Sequence, residues 1–297
     1  MADTVQSTHE GIAGRSWKQK APYGEQQFSP WIFRFFAAIA LAIMLVPAAV
    51  VVLVGLNEAE YITFPPQGLS LKWVVAFFQS EAFRTAFATS FGLALLVMVI
   101  STVVGTMAAI FLSRVAFKGR GLVRALLVSP ILLPGVVLGL AIYSFYIFSG
   151  IGLARTFTGL LFGHIVVTIP WVIVAVSAAL YHFDISLEQA ARSLGAGPLS
   201  AFFRVTLPNI SSGISAGSIF AFIVSFAQFD VSLFLSTANV TPLPIAIFQS
   251  LRNKAEPTAA AAGIIAIVIV ISVMVLASQV VNVRRLISTE RARGSKS

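Results

Sequence analysis

The chain has 297 residues, 58% of them hydrophobic and only 10% charged, with no cysteine, and its mean hydropathy is +0.92. That composition excludes a soluble globular domain, a disulfide framework and any thiolate metal site. The net charge of +9 is distributed as membrane topology and attraction to anionic lipid would have it, which discards a nucleic-acid partner.

Residues 1–30 are polar and lack an apolar period, so they read as a cytoplasmic arm rather than a domain. From there, apolar runs near the 20 residues needed to span a bilayer fall at about 31–56, 86–113, 121–148, 158–181, 209–235 and 258–282. The first is too long for a signal peptide and follows a polar stretch, which predicts a retained anchor. The expected fold is therefore all-α and polytopic, with six transmembrane helices in residues 31–282 and a basic cytoplasmic tail at 283–297.

Between the first two spans, LSLKWVVAFFQSEAFR places Leu69, Trp73, Val74, Phe77 and Phe78 on one helical face. Such a helix either lies on the outer leaflet or packs on the bundle. The third span contains Pro130, Pro134 and Gly135, which either open the helix or serve packing. In the fifth, Gly213 and Gly217 sit four apart among serines, a spacing that lets helices approach closely within the chain or between subunits. Ser211, Ser215, Ser218, Ser225, Gln228 and Ser232 fall broadly on one side of that span, and Asp230 projects away from them if the helix stays regular.

Lys and Arg set the expected orientation. Arg15, Lys18 and Lys20 precede the first span; Arg114, Lys118, Arg120 and Arg124 follow the second; Arg284, Arg285, Arg291, Arg293 and Lys296 lie in the tail. The opposite connections are poorer in positive charge, so both termini and the connection after the fourth span are expected in the cytoplasm.

That connection, SLEQAARSLGAGPLSAFFRVTLP from Ser186 to Pro208, is a polar helical hairpin between apolar segments. Ser186 and Gln189 have capping-box spacing, and Glu188 and Arg192 stand at i and i+4. Gly195 ends the first helix; Gly197-Pro198 opens a second that Leu207-Pro208 is expected to terminate.

The stretch resembles the EAA loop of type I ABC importer permeases. Its pattern falls on Gln189-Ala190-Ala191, Gly195, Val205 and Leu207-Pro208, with Glu188 one residue before the position usually acidic. From about residue 70 to 282 the order of features resembles the spermidine/putrescine group: a Trp-containing amphipathic segment, a helix ending in Leu-Ser-Arg, a Pro-rich third span, the hairpin, and TPLPIAIFQSLR before the last span. The resemblance implies a MetI-like permease fold in a bacterial inner membrane and ATPase coupling through residues 184–208. It also implies pairing with a second permease, two cytoplasmic ATPase subunits and an external solute-binding protein. The solute would be small and polar, with polyamines and related cations the leading class.

No phosphate-loop motif occurs, so no cofactor is expected on this chain and ATP would be hydrolysed by a partner. His9, His164 and His182 are widely separated, and no metal-ligand cluster is visible, which argues against an enzyme. An ion-coupled secondary transporter is the alternative, but neither a proton-relay chain nor a repeat is evident. Tyr143, Tyr146, His164 and Trp171 are candidates for an aromatic wall along the path. Asp230, the only acidic residue inside the six spans, costs roughly 2.5–3.5 kcal/mol to insert. About 22 residues beyond Pro208, some 33 Å along a straight helix, it is expected near the outer end. It reads as a partner for Arg84 or Arg252, as a headgroup-level residue, or as a carboxylate for a cationic solute with Gln228 and Phe229 beside it.

Overall fold

The computed structural model describes residues 30–253 and 256–294, so most of the polar arm at 1–30 lies outside it. The chain divides into two compact units, residues 1–48 and 49–297. In the first, the start of α1 (Pro30–Gly55) is an apolar helix with exposed Trp31, Phe33, Phe35 and Phe36.

The second unit follows as α2 (Lys72–Gln79), α3 (Glu81–Arg114), α4 (Arg120–Val128), α5 (Gly135–Ser149), α6 (Phe157–Tyr181), α7 (Ile185–Ser193), α8 (Pro198–Ala201), α9 (Leu207–Asn209), α10 (Ser211–Phe226), α11 (Asp230–Leu235), α12 (Leu243–Asn253) and α13 (Thr258–Gly294). Among the described residues there is no β-strand. Helices α1, α3, α6 and α13 are each long and apolar enough to cross a membrane. Among the described residues the count reaches six if α4–α5 and α8–α10 are each taken as one bent span.

Small residues let the central helices meet. A Cβ on Gly105 of α3 would stand 2.7 Å from the Val172 side chain of α6, and one on Gly213 of α10 would stand 2.5 Å from Ala179 Cβ. Gly217 likewise faces Val172. The Gly213/Gly217 face therefore makes an intramolecular contact with α6, in which the absence of side chains permits dispersion contact at close range. Ser101 and Thr168 add a buried hydrogen bond of 2.7 Å between α3 and α6. Gly213→Val should cost about 1–3 kcal/mol by overpacking, lowering the melting temperature of the purified complex. Gly92→Ala is the control: on α3 its Cβ would meet nothing within 4 Å, and the change should be neutral or stabilising by about 0.5–1 kcal/mol.

The amphipathic segment before α3 packs on the bundle. Phe77 is buried in a cluster with Phe83, Ala86, Phe222 and Leu243, and Trp73 Nε1 donates to the Ala59 carbonyl at 3.1 Å. A helix in the last long connection was not read from the sequence: α12 begins with Leu243 N–H donating to Ser90 Oγ at 2.7 Å.

Three spans depart from regular helices. The third is broken, α4 with its 3₁₀ turn (Ser129–Ile131) meeting α5 at 106°. Pro134 supplies no N–H, disfavours helical geometry at Leu133 and stands as the N-cap of α5. The fifth is bent by 66° where α9 meets α10, and it ends at Phe226 rather than at 235. Pro208 does not terminate the hairpin's second helix as expected. A π-turn over Phe202–Thr206, closed by Leu207 N–H to the Phe202 carbonyl, shifts the register and lets the helix run through Pro208 to Asn209. The last helix also continues past residue 282 to Gly294, taking in most of the expected tail.

Candidate functional site

Two regions answer the expectations: the hairpin between α6 and α10, and the segment where α10 breaks.

Asp184 is the N-cap of α7, its Oδ1 accepting from Ser186 N–H at 2.9 Å. Ser186 is consequently inside the helix, and the capping box is replaced by a cap two residues earlier, where extended backbone presents a carboxylate to the free amides. The Ser186 N–H also holds the Asp184 carboxyl below the ordinary aspartate range. Gly195 takes φ +92° after α7, as its place in the turn requires.

Glu188 does not pair with Arg192. Its carboxylate is gripped by Arg114, the last residue of α3, with Nη1 to Oε1 at 3.1 Å and Nη2 to Oε2 at 2.5 Å. The Thr206 hydroxyl donates to the same Oε2, and Arg114 Nη2 reaches Thr206 Oγ1 at 3.1 Å. The guanidinium lies 6.0 Å from the Phe202 ring centre. A two-pronged guanidinium contact outcompetes an exposed i,i+4 pair because it adds aligned hydrogen bonds to a glutamate that is only 8% exposed. The Arg114 hydrogen bond, aided by Thr206, keeps the Glu188 carboxyl below the ordinary glutamate range against the opposing effect of burial. Three elements thus meet at one ion pair: α3, α7 and the π-turn.

The rest of the hairpin signature is on or near the surface. Gln189, Ala190, Gly195 and Pro208 are exposed, while Ala191, Val205 and Leu207 are half-buried. Leu194 (90%), Leu199 (74%) and Phe203 (59%) are apolar side chains left bare beside them, a surface that suits a protein partner.

At the other region, α10 stops at Phe226 and α11 starts at Asp230. The straight-helix placement of Asp230 therefore fails: Ala227, Gln228 and Phe229 interrupt the helix and re-aim the carboxylate. It now abuts the N-terminus of α5, so that a Cβ at Gly135 would collide with it. One turn on, Gly139 lies under the Asp230 carbonyl and Phe234. Gly135 and Gly139, four apart, are what permits α5 and α11 to touch; that spacing is readable, yet the sequence reading singled out only Gly135. The positive end of the α5 dipole faces the carboxylate and offsets part of its desolvation. Among the described residues Asp230 has no ion pair to Arg84 or Arg252. Gln228 and Phe229 are half-buried, Phe229 resting edge-on against Phe248 at 5.2 Å.

The aromatic wall does not form as drawn. Tyr146 is buried and donates to the Gly159 carbonyl at 3.1 Å, and the Arg155 guanidinium already covers Tyr143 at 5.8 Å. His164 is fully buried between two serines, Ser225 and Ser232. Trp171 stacks on Phe220 at 5.9 Å. Arg114, Thr206, Ser225 and Ser232 were missed as partners because long-range contacts leave no local pattern.

Comparison with known proteins agrees with this geometry. Residues 101–288 match the family described as binding-protein-dependent transport system inner membrane component. The spermidine/putrescine transport system permease protein PotC of Escherichia coli (strain K12) is 27% identical over 260 residues, 88% of this chain and 95% of that protein. The trehalose transport system permease protein SugB of Mycobacterium tuberculosis (strain CDC 1551 / Oshkosh) is 34% identical over 208 residues, 68% of this chain and 74% of its own length. A chain of a bacterial alginate ABC transporter, solved in complex with an alginate pentasaccharide-bound periplasmic protein, superposes with a TM-score of 0.65 at 18% identity, over 83% of this chain and 92% of that one. With a family match over more than half its length and the hairpin and broken spans in place, this chain belongs to the binding-protein-dependent transport system inner membrane components, the multi-pass permeases of ABC importers.

Proposed function

We propose that this chain is one of a pair of different permease subunits that carry a small cationic solute of the polyamine class into the cell. Both termini and the 184–208 hairpin lie in the cytoplasm, two separate ATPase subunits hydrolyse the ATP, and an external binding protein delivers the solute. The chain itself holds no cofactor.

The observation that carries the solute class is Asp230. Its carboxylate lies where two interrupted helices cross, at α5 and α11, and has no basic partner within the described chain. Interrupted helices at membrane depth are how transporters expose backbone polarity to a solute, and a carboxylate there favours a cation. The named solutes of the relatives range from polyamines to trehalose and alginate, so charge at the site, rather than family membership, supports this choice. The test is uptake in membrane vesicles with the cognate binding protein and labelled putrescine or spermidine. ATP-dependent accumulation that excess trehalose does not compete supports the reading; accumulation of a neutral sugar instead would overturn it.

The exposed side of the hairpin supports the coupling role. Glu188 is engaged by Arg114 and Thr206, which leaves exposed Gln189 as the side chain that faces the ATPase. A Cβ on Gly195 would enter open space, but its φ of +92° costs a non-glycine residue roughly 1–2 kcal/mol. Gly195→Asp adds a charge beside bare Leu194 and should abolish ATPase copurification and uptake while membrane insertion survives. Gly195→Asn, which tolerates this backbone, should keep most of both. Copurification of Gly195→Asp with an ATPase at the wild-type level would remove the hairpin from the coupling surface.

A further inference from the structure

We infer that His164 is a positioning residue that staples the two sides of the α10 break together and so fixes where Asp230 stands. His164 lies on α6 and is 0% exposed. Its Nδ1 is 2.9 Å from the hydroxyl of Ser225, in the last turn of α10. Its Nε2 is 2.9 Å from the hydroxyl of Ser232, on α11. One imidazole therefore holds both ends of the interruption at Ala227–Phe229.

Ser232 Oγ donates to the Gln228 carbonyl at 2.8 Å. With that proton spent, the tautomer that completes both serine contacts carries its proton on Nε2, donated to Ser232, and accepts from the Ser225 hydroxyl at Nδ1. The same bonds complete the interrupted backbone: the Gln228 carbonyl receives Ser232, and Gln228 N–H reaches the Ser225 carbonyl at 3.3 Å. Within an apolar bundle, unmet backbone groups would disfavour a break of this kind, and the serines that meet them are the ones His164 grips.

The staple bears directly on Asp230. One residue before His164, Gly163 receives Leu235 and Val231, whose side-chain atoms would lie 2.5 Å and 3.1 Å from a Cβ there. The short helix is thus seated on α6 by Gly163 and His164 and on α5 by Gly135 and Gly139. Its first residue is Asp230. The polar chain continues from the His164 carbonyl to Thr168 Oγ1 at 2.9 Å and on to Ser101 of α3.

The functional half of this inference rests on Asp230 receiving the solute; the geometric half does not. The chain has no native cysteine, so a single Ala227→Cys, at an exposed residue of the break, reports the break's conformation by its rate of maleimide labelling in the assembled complex. Adding His164→Ala should change that rate by roughly fivefold or more. Adding His164→Gln, whose amide offers one donor and one acceptor in place of the two ring nitrogens, should keep it within about twofold. With Ala227 native, maximal uptake should fall roughly three- to thirtyfold in His164→Ala and recover in His164→Gln. An unchanged labelling rate in assembled His164→Ala overturns the proposal. If that variant does not assemble, Ser232→Ala deletes one end of the staple, and an unchanged rate there overturns it equally. A changed labelling rate with normal uptake would keep the staple and refute the Asp230 reading instead.

Discussion

Asp230→Asn should reduce uptake of a cationic solute roughly 10- to 100-fold, the effect of losing one charge-assisted hydrogen bond of about 1.5–3 kcal/mol. The substitution keeps the shape that fits against Gly135 and Gly139, so the amount of assembled complex should be unchanged. It also removes an ion from a broken helix inside the bundle, and folding should be no worse for it. Asp230→Glu extends the carboxylate by one methylene where the Gly135 contact leaves no room, and should be impaired by packing rather than by charge. Uptake assays with quantified complex separate the outcomes. Normal transport by Asp230→Asn would sink the solute-site reading. Loss of assembly would mean that a cation on a neighbouring subunit pairs with Asp230 structurally.

The second large effect is expected at the ion pair that joins α3 to the hairpin. Glu188→Ala leaves the Arg114 guanidinium without its carboxylate and should cost about 2–3 kcal/mol, below the full value for a buried pair because the Arg114 side chain is 27% exposed. Arg114→Ala should cost a similar amount, since the carboxylate would keep only Thr206. Replacing both with Met should be less destabilising than either single change, because no charge is then stranded. Thermal melting of the purified complex checks this order, and a double variant worse than both singles would contradict it. The pH dependence follows from the direction of the Glu188 shift. A carboxyl held below its ordinary range contributes fully above that range and loses its contribution as pH falls through the lowered value. The advantage of wild type over Glu188→Gln should therefore be flat from neutral pH down to roughly 5 and shrink only below about 4. A contribution already gone at pH 6 would exclude this pair as its source.

Because the pair links α3, α7 and the π-turn, a displacement of the hairpin cannot leave α3 behind. Under the proposed coupling role, that linkage is a physical route by which a partner ATPase would move helices within the membrane.

Apolar length carried the spans, since insertion depends on residues contiguous in sequence. The ends of α1, α3 and α6 at Gly55, Arg114 and Tyr181 fall within about a residue of the expected limits for that reason. Hairpin spacing around Gly195 was legible because a positive φ demands glycine. Breaks were not: Pro130 and Pro134 are compatible with a packed kink or a 106° turn, and the choice lies in what satisfies the freed backbone.

The sequence by itself thus determined an all-helical membrane chain, its hairpin and its acidic residue, because hydropathy, periodicity and turn chemistry act locally. Only the tertiary structure decided what Glu188, His164 and Asp230 touch. Glu188 found Arg114 across 74 residues, His164 found Ser225 and Ser232 across 61 and 68, and Asp230 met Gly135 from another broken helix. Each outcome is a competition between a near partner and a better-oriented distant one, and in a low-dielectric bundle geometry and desolvation settle it.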